Sequence, residues 1–151
     1  MGTTMFRLLW TGAALGLMPA VALADGDFGT RAEAKAVADA MIAIVDAEGV
    51  AAAMQAMHDP SQPFVGSRMG VNLFSDSTVI ADNREPETIA ADYAETADLT
   101  GALVWPLISA AADVEGDANL KWYHYDTQES YDYKCFSKRS EIVDVTVMVC
   151  R

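Results

Sequence analysis

"KWYHYDTQESYDYKCFSKR", residues 121–139, holds four of the chain's five tyrosines, one of its three tryptophans and one of its two cysteines. Its alternation reads as two strands, Asn119–Asp126 and Ser130–Arg139, with a turn centred near Gln128. That centre places Tyr123 opposite Tyr133 and Tyr125 opposite Tyr131. Residues two apart share a face, so all four rings fall together with Lys121, Cys135, Ser137 and Arg139. Leu120, Trp122, His124, Lys134 and Phe136 take the other face. Two uses fit the tyrosine face. It can wall a pocket for a small polar molecule, because each ring packs and each hydroxyl donates. It can equally meet solvent or short helices, with tyrosine serving strand propensity.

The strand that follows, Val143–Cys150, also alternates with a period of two. A turn near Ile142 brings Cys150 opposite Cys135, or one residue away. Antiparallel neighbours lie within the span of a disulfide. A Cys135–Cys150 bridge is therefore expected, worth roughly 3 kcal/mol by loop entropy. Thr146, Met148 and Cys150 join the tyrosines; Val145, Val147 and Val149 join Trp122 and Phe136.

Upstream, Thr30-Arg31-Ala32-Glu33 is a capping box that opens a long alanine-rich helix running to about Met57. Val37, Met41, Ile44, Ala47, Ala51 and Met54 form its apolar stripe, and Gly49 marks a bend or break. Pro60 closes the helix. Met69–Phe74 and Thr78–Ala81 read as two strands, Glu87–Tyr93 as a short helix after Pro86, and Ala102–Val114 as a second. One long helix, two strands, short helices and three strands make an α+β domain.

Residues 1–24 read as a secretory signal peptide: Arg7, an apolar run, and Ala22-Leu23-Ala24 as the cleavage pattern. The run is short for a span of about 20 apolar residues, and no later segment is long enough to cross a bilayer. Residues 25–151 then form one periplasmic or secreted domain. Export makes a structural disulfide the default for two cysteines. The net charge is −12, which repels nucleic acid and anionic lipid. Neither His58 nor His124 has a ligand at metal spacing, so no metal site is expected. Asp126, Glu129 and Asp132 lack the spacing of a calcium loop. Ser61, Ser67 and Ser75 have no glycine-framed elbow. No catalytic set and no cofactor motif emerges.

Several strings resemble the single Cache domain, an extracytoplasmic PAS-like sensor module. "AMHDPSQPFVGSRMGVNLFSDSTVIADN" (56–83) matches the family's helix end, Asp-Pro turn and strand pair. "NREPETIAADYAETADLTGALVWPLI" (83–108) stands where the family has its loop before a helix. "KWYHYD" (121–126) and "KCFSKR" (134–139) look like its last strands. The resemblance covers about residues 31–151. It implies a PAS-like antiparallel sheet of about five strands, with the long helix on one face and short helices toward the other. It further implies a pocket for a small ligand, often a carboxylate, on the face away from the long helix. Tyr123 and Tyr125 fall at the family's aromatic strand positions. Tyr133 stands where many relatives have lysine, so Lys121 would supply the charge, and Trp105 would close the pocket from above. The family's glycine between the first strands is Asp76 or Ser77 here, and its following histidine is Asp82.

The expected function is thus non-catalytic small-molecule binding, of a short organic acid in the family's pattern, in a sensing or signalling role. With no output domain in the sequence, a separate signalling protein is the expected partner. The alternative is a periplasmic protein-interaction module using the tyrosine-rich face.

Overall fold

The computed structural model describes residues 26–62, 65 and 67–151. The expected signal peptide, residues 1–24, lies outside them. Helix α1 spans Arg31–Glu48 and starts at the capping box: Glu33 N–H donates to Thr30 Oγ1 at 3.2 Å, and Thr30 N–H donates to the Glu33 carboxylate at 2.7 Å. Gly49, at φ +92°, ends α1 and lets the chain restart as α2, Val50–Ala56. That conformation suits glycine because it has no Cβ to clash. The buried stripe differs in part from the expected one. Val37 and Met41 are joined by Ala34, Ala38, Ile42 and Val45, whereas Ala47, Ala51 and Met54 face out.

Five antiparallel strands form one sheet: β1 Gly70–Ser75, β2 Thr78–Asp82, β3 Asp117–Tyr123, β4 Ser130–Arg139 and β5 Thr146–Cys150, in the spatial order β2-β1-β5-β4-β3. Helix α1 covers β4 and β5 on one face, where Lys138 Nζ reaches Asp39 at 2.9 Å. Helix α3, Val104–Asp113, covers β3 and β4 on the other, where Arg139 bonds Asp113 and Ser109, each at 2.8 Å. The expected helix over Glu87–Tyr93 is only a 3-10 turn at Pro86–Thr88. Ala90 adopts φ +73°, which no α-helix continues through.

The register of β4 on β5 is as expected. Cys135 pairs directly with Cys150, Cα–Cα 4.0 Å, and the two are joined by a disulfide. The register of β3 on β4 is not. Tyr123 pairs with Ser130, Trp122 with Tyr131 and Leu120 with Tyr133. The turn is centred between Asp126 and Thr127, not at Gln128. The odd offset exchanges the faces of β3. Ala118, Leu120 and Trp122 share the α3 face with Tyr131, Tyr133 and Cys135. Lys121 and Tyr123 share the α1 face with Asp132, Lys134 and Phe136. His124 sets the turn: its Nδ1 accepts the Asp126 and Thr127 amides at 3.2 Å each, and Gln128 adopts φ +60°.

Two carboxylates pin the edges. Asp98, in the long β2–α3 connection, accepts the amides of Thr100, Ala102 and Lys121 and the Thr100 hydroxyl at 2.6–3.1 Å. Burial pushes its carboxyl up, but these donors outweigh burial and hold it at about 2. Asp117 pairs with Arg31 at 2.9 Å and with the buried Arg151 at 2.8 Å. Burial opposes its charge, yet the hydrogen bonds from Arg151 and Arg31 bring its carboxyl below the usual range. The stability this gives is present above the ordinary carboxylate range and lost as pH falls through the depressed value. Asp117→Ala removes the carboxylate that bonds both Arg31 and the buried Arg151. It is expected to cost about 1.5–3 kcal/mol at neutral pH, the range for hydrogen bonds to charged groups, and much less at pH 2, measured by urea unfolding at both.

Candidate functional site

The α3 face of the sheet holds a partly open cavity of about 40 Å³. Its floor is the Cys135–Cys150 bridge with Met148 and Leu120, and Val104 of α3 is its roof. Tyr133 and Trp122 rise from β4 and β3, Tyr125 folds in from the turn, and Tyr93 enters from the β2–α3 connection. The polar lining is Asn72 of β1 and Glu85.

Each position has a local cause. Tyr133 Oη accepts the Tyr125 amide at 3.0 Å and donates to the Tyr123 carbonyl at 3.2 Å, so a side chain of β4 takes up backbone groups where β3 leaves the sheet. The two rings then meet at 4.8 Å between centroids. Tyr125 lies against Gly70, where a Cβ would come 2.0 Å from its hydroxyl, so only glycine leaves it room. Asp82 accepts from Asn72 Nδ2 at 2.6 Å, from the Arg84 and Glu85 amides at 2.8 Å each, and from the Thr88 hydroxyl at 2.8 Å. One carboxylate therefore orients Asn72 and ties down the turn that presents Glu85.

Charge inside the cavity is negative. Burial pushes the Glu85 carboxyl up, the carboxylates of Asp82 and Glu87 push it further, and the Trp122 indole and Arg84 oppose them. Burial, with Asp82 and Glu85 nearby, pushes the Tyr93 phenol up to about 12. Burial also holds Tyr125 and Tyr133 well above the usual phenol range. All three stay neutral and act as walls or donors.

Of the five residues expected to bind ligand, Tyr125 and Tyr133 line this cavity. Trp105 instead packs on Phe74 at 5.4 Å, and its neighbour Val104 takes the roof. Lys121 stands outside, its ammonium 3.5 Å from Asp132; its amide and carbonyl, not its charge, hold the Asp98–Leu99 segment. Tyr123 is 46% exposed on the α1 face. Both departures follow from the β3–β4 register.

Six lining residues escaped the sequence reading: Asn72, Glu85, Tyr93, Val104, Leu120 and Trp122. Asn72 had a signal, as one amide inside the apolar run of a central strand. Phe28 also escaped. Its buried ring lies 4.8–5.8 Å from His124, Tyr125, Tyr131 and Tyr133, and Arg68 and Arg84 lie 5.2 and 5.8 Å from its centroid. Asp27 N–H donates to Tyr131 Oη at 2.7 Å. At this end the tyrosines are core, closed by the segment preceding α1.

No protein-family model matches the chain, and neither does any curated protein. Solved structures do match it. A periplasmic sensor domain of a chemotaxis protein superposes with TM-score 0.64 at 13% identity, over 80% of this chain and 92% of that one. A Cache chemosensory domain described for its carboxylic acid recognition gives TM-score 0.54 at 14% identity, over 78% and 84%. The fold is that of a Cache sensor domain. A methyl-accepting chemotaxis protein of Vibrio parahaemolyticus shares it too, with TM-score 0.56 at 13% identity over 80% of each chain. Within this Cache fold the cavity occupies the sheet face away from the long helix.

Two outcomes test the geometry. Tyr133→Phe leaves the Tyr125 amide and the Tyr123 carbonyl without their partner and is expected to cost about 1–3 kcal/mol in urea unfolding. For Glu85, a carboxyl raised by folding, the stability contribution is fully present below the ordinary carboxylate range and lost as pH rises through the raised value. Glu85→Gln is therefore expected to raise the melting temperature at pH 7.5 and leave it nearly unchanged at pH 4.

Proposed function

We propose that residues 25–151 form an exported, periplasmic, non-catalytic domain that binds a small molecule and reports its presence to a separate signalling protein. The observation that carries this reading is the aromatic-walled cavity between the sheet and α3, on the face away from α1. A hollow with a few convergent polar groups is the usual form of a small-molecule site. The reading is supported by the fold shared with sensor domains of chemotaxis proteins. Export fits the leader-like residues 1–24 and the paired cysteines.

A short organic acid is the ligand implied by the family resemblance, and one structural neighbour is described by carboxylic acid recognition. Here the cationic anchor that such a ligand needs does not come from Lys121, which stands on the other face. Nor does the tyrosine-rich hairpin offer exposed rings to a protein partner. Tyr133 is buried, Tyr125 and Tyr131 are half-buried under Phe28, and only Tyr123 of the four is open.

Thermal unfolding of the purified protein against organic acids, amino acids and amines tests the reading. A compound that binds only the folded state, at 100 times its Kd, adds about 2.7 kcal/mol. At least one compound is expected to raise the melting temperature in wild type and not in Val104→Phe, whose larger side chain fills the hollow. No shift with any class of compound would sink the small-molecule reading.

A further inference from the structure

The class of ligand can be read from the charge of the cavity, given the small-molecule reading on which this inference rests. Among the described residues, no lysine or arginine side chain lines it. Lys121 is on the opposite face and pairs with Asp132. Arg84 is close but drawn away: it bonds Asp126 at 2.7 Å and the Arg68 carbonyl at 3.0 Å, and it lies 5.0 Å from the Tyr125 centroid. Glu85 lines the cavity, and Asp82 stands directly behind Asn72. A carboxylate entering here would meet two like charges in a partly desolvated space. The Tyr133 hydroxyl, the donor nearest to hand, is already committed to the Tyr123 carbonyl. A cation meets the reverse conditions, with one carboxylate as counter-charge and π-systems around it.

Size narrows the class. The cavity of about 40 Å³ has room for about three water-sized groups, at 10–15 Å³ each. We propose that it takes a small organic cation, an alkylammonium of about three heavy atoms by that volume, with Glu85 as its counter-charge and Tyr93, Trp122, Tyr125 and Tyr133 as its aromatic walls. Binding requires Glu85 ionised. The groups that face Glu85 are Asp82 of β2, Arg84 and Glu87 beside it, the Trp122 indole of β3, and the phenols of Tyr93, Tyr125 and Tyr133. The phenols remain neutral across the working range, so Glu85 governs the pH response. Affinity falls as the medium is acidified toward the ordinary carboxylate range.

The test is calorimetric titration with methylammonium, dimethylammonium, acetate and acetamide, with Trp122 fluorescence as a second readout. The expected result is saturable binding of dimethylammonium at pH 8, weaker at pH 5, with no binding of acetate. Glu85→Gln is expected to weaken the cation at least tenfold and remove the pH dependence; Trp122→Leu should weaken it at both pH values. Should Glu85→Gln fail to fold, the wild-type pH profile decides. Acetate or acetamide binding in place of the amines would overturn the cation assignment and leave the small-molecule reading standing. Amines bound equally by Glu85→Gln, or without pH dependence, would overturn it as well. Silence from all four compounds would overturn the cation assignment, while the small-molecule reading would stand or fall by the wider panel above.

Discussion

The hydroxyl of Tyr133 is the point on which the site depends. It takes the Tyr125 amide and gives its proton to the Tyr123 carbonyl. Backbone groups at a strand end must find partners or water, and here a neighbouring strand's side chain provides them. One more backbone bond, His124 N–H to the Glu129 carbonyl at 2.7 Å, closes the hairpin beyond Tyr123–Ser130, and Tyr125 comes down on Gly70 as a wall of the cavity. Gly70 and Tyr133 are thus one device: the first clears a space beside β1, and the second directs a ring into it.

Most of the architecture was legible because local signals and global packing agree. The Thr30–Glu33 box, the break at Gly49, the alternation of β5 and the pairing of Cys135 with Cys150 each express one strong local rule. The β3–β4 hairpin obeys no such rule. Its turn has no Asn-Gly or Asp-Gly pair to mark the centre. What sets the turn is His124, whose imidazole accepts two amides, together with a left-handed Gln128. Neither residue type announces that role. The misplaced centre changed the parity of one strand, and parity decides face. Lys121 and Tyr123 consequently left the site, and Trp122 and Leu120 entered it. Glu85 and Tyr93 were out of reach for another reason. They lie in the long β2–α3 connection, where position follows from the hydrogen bonds of Asp82 and Asp98, not from any period.

The acidity of the chain has a structural counterpart. Buried or half-buried carboxylates at Asp82, Asp98 and Asp117 are each satisfied by several donors. This is the condition under which a carboxylate survives away from water. Glu85 stands apart from them, because its carboxyl is raised where those of Asp98 and Asp117 are lowered. A group left in an unfavourable ionised state is one whose environment a bound cation would improve, and that differential is what binding energy is made of.

The cavity also straddles a seam. Glu85 and Tyr93 belong to the β2–α3 connection, while Trp122, Leu120 and Tyr133 belong to the sheet. The two sides are joined at the edge of β3, where Asp98 accepts the Lys121 amide and Leu99 N–H donates to the Lys121 carbonyl. A ligand in contact with both sides adds interactions across a boundary otherwise held by a few hydrogen bonds. Its effect on shape is bounded by the difference in its contacts when that seam is tight and when it is loose. The connection continues directly into α3, which lies over β3 and β4. On the other side the sheet itself leads to α1, because β4 and β5 line the cavity on one face and carry α1 on the other.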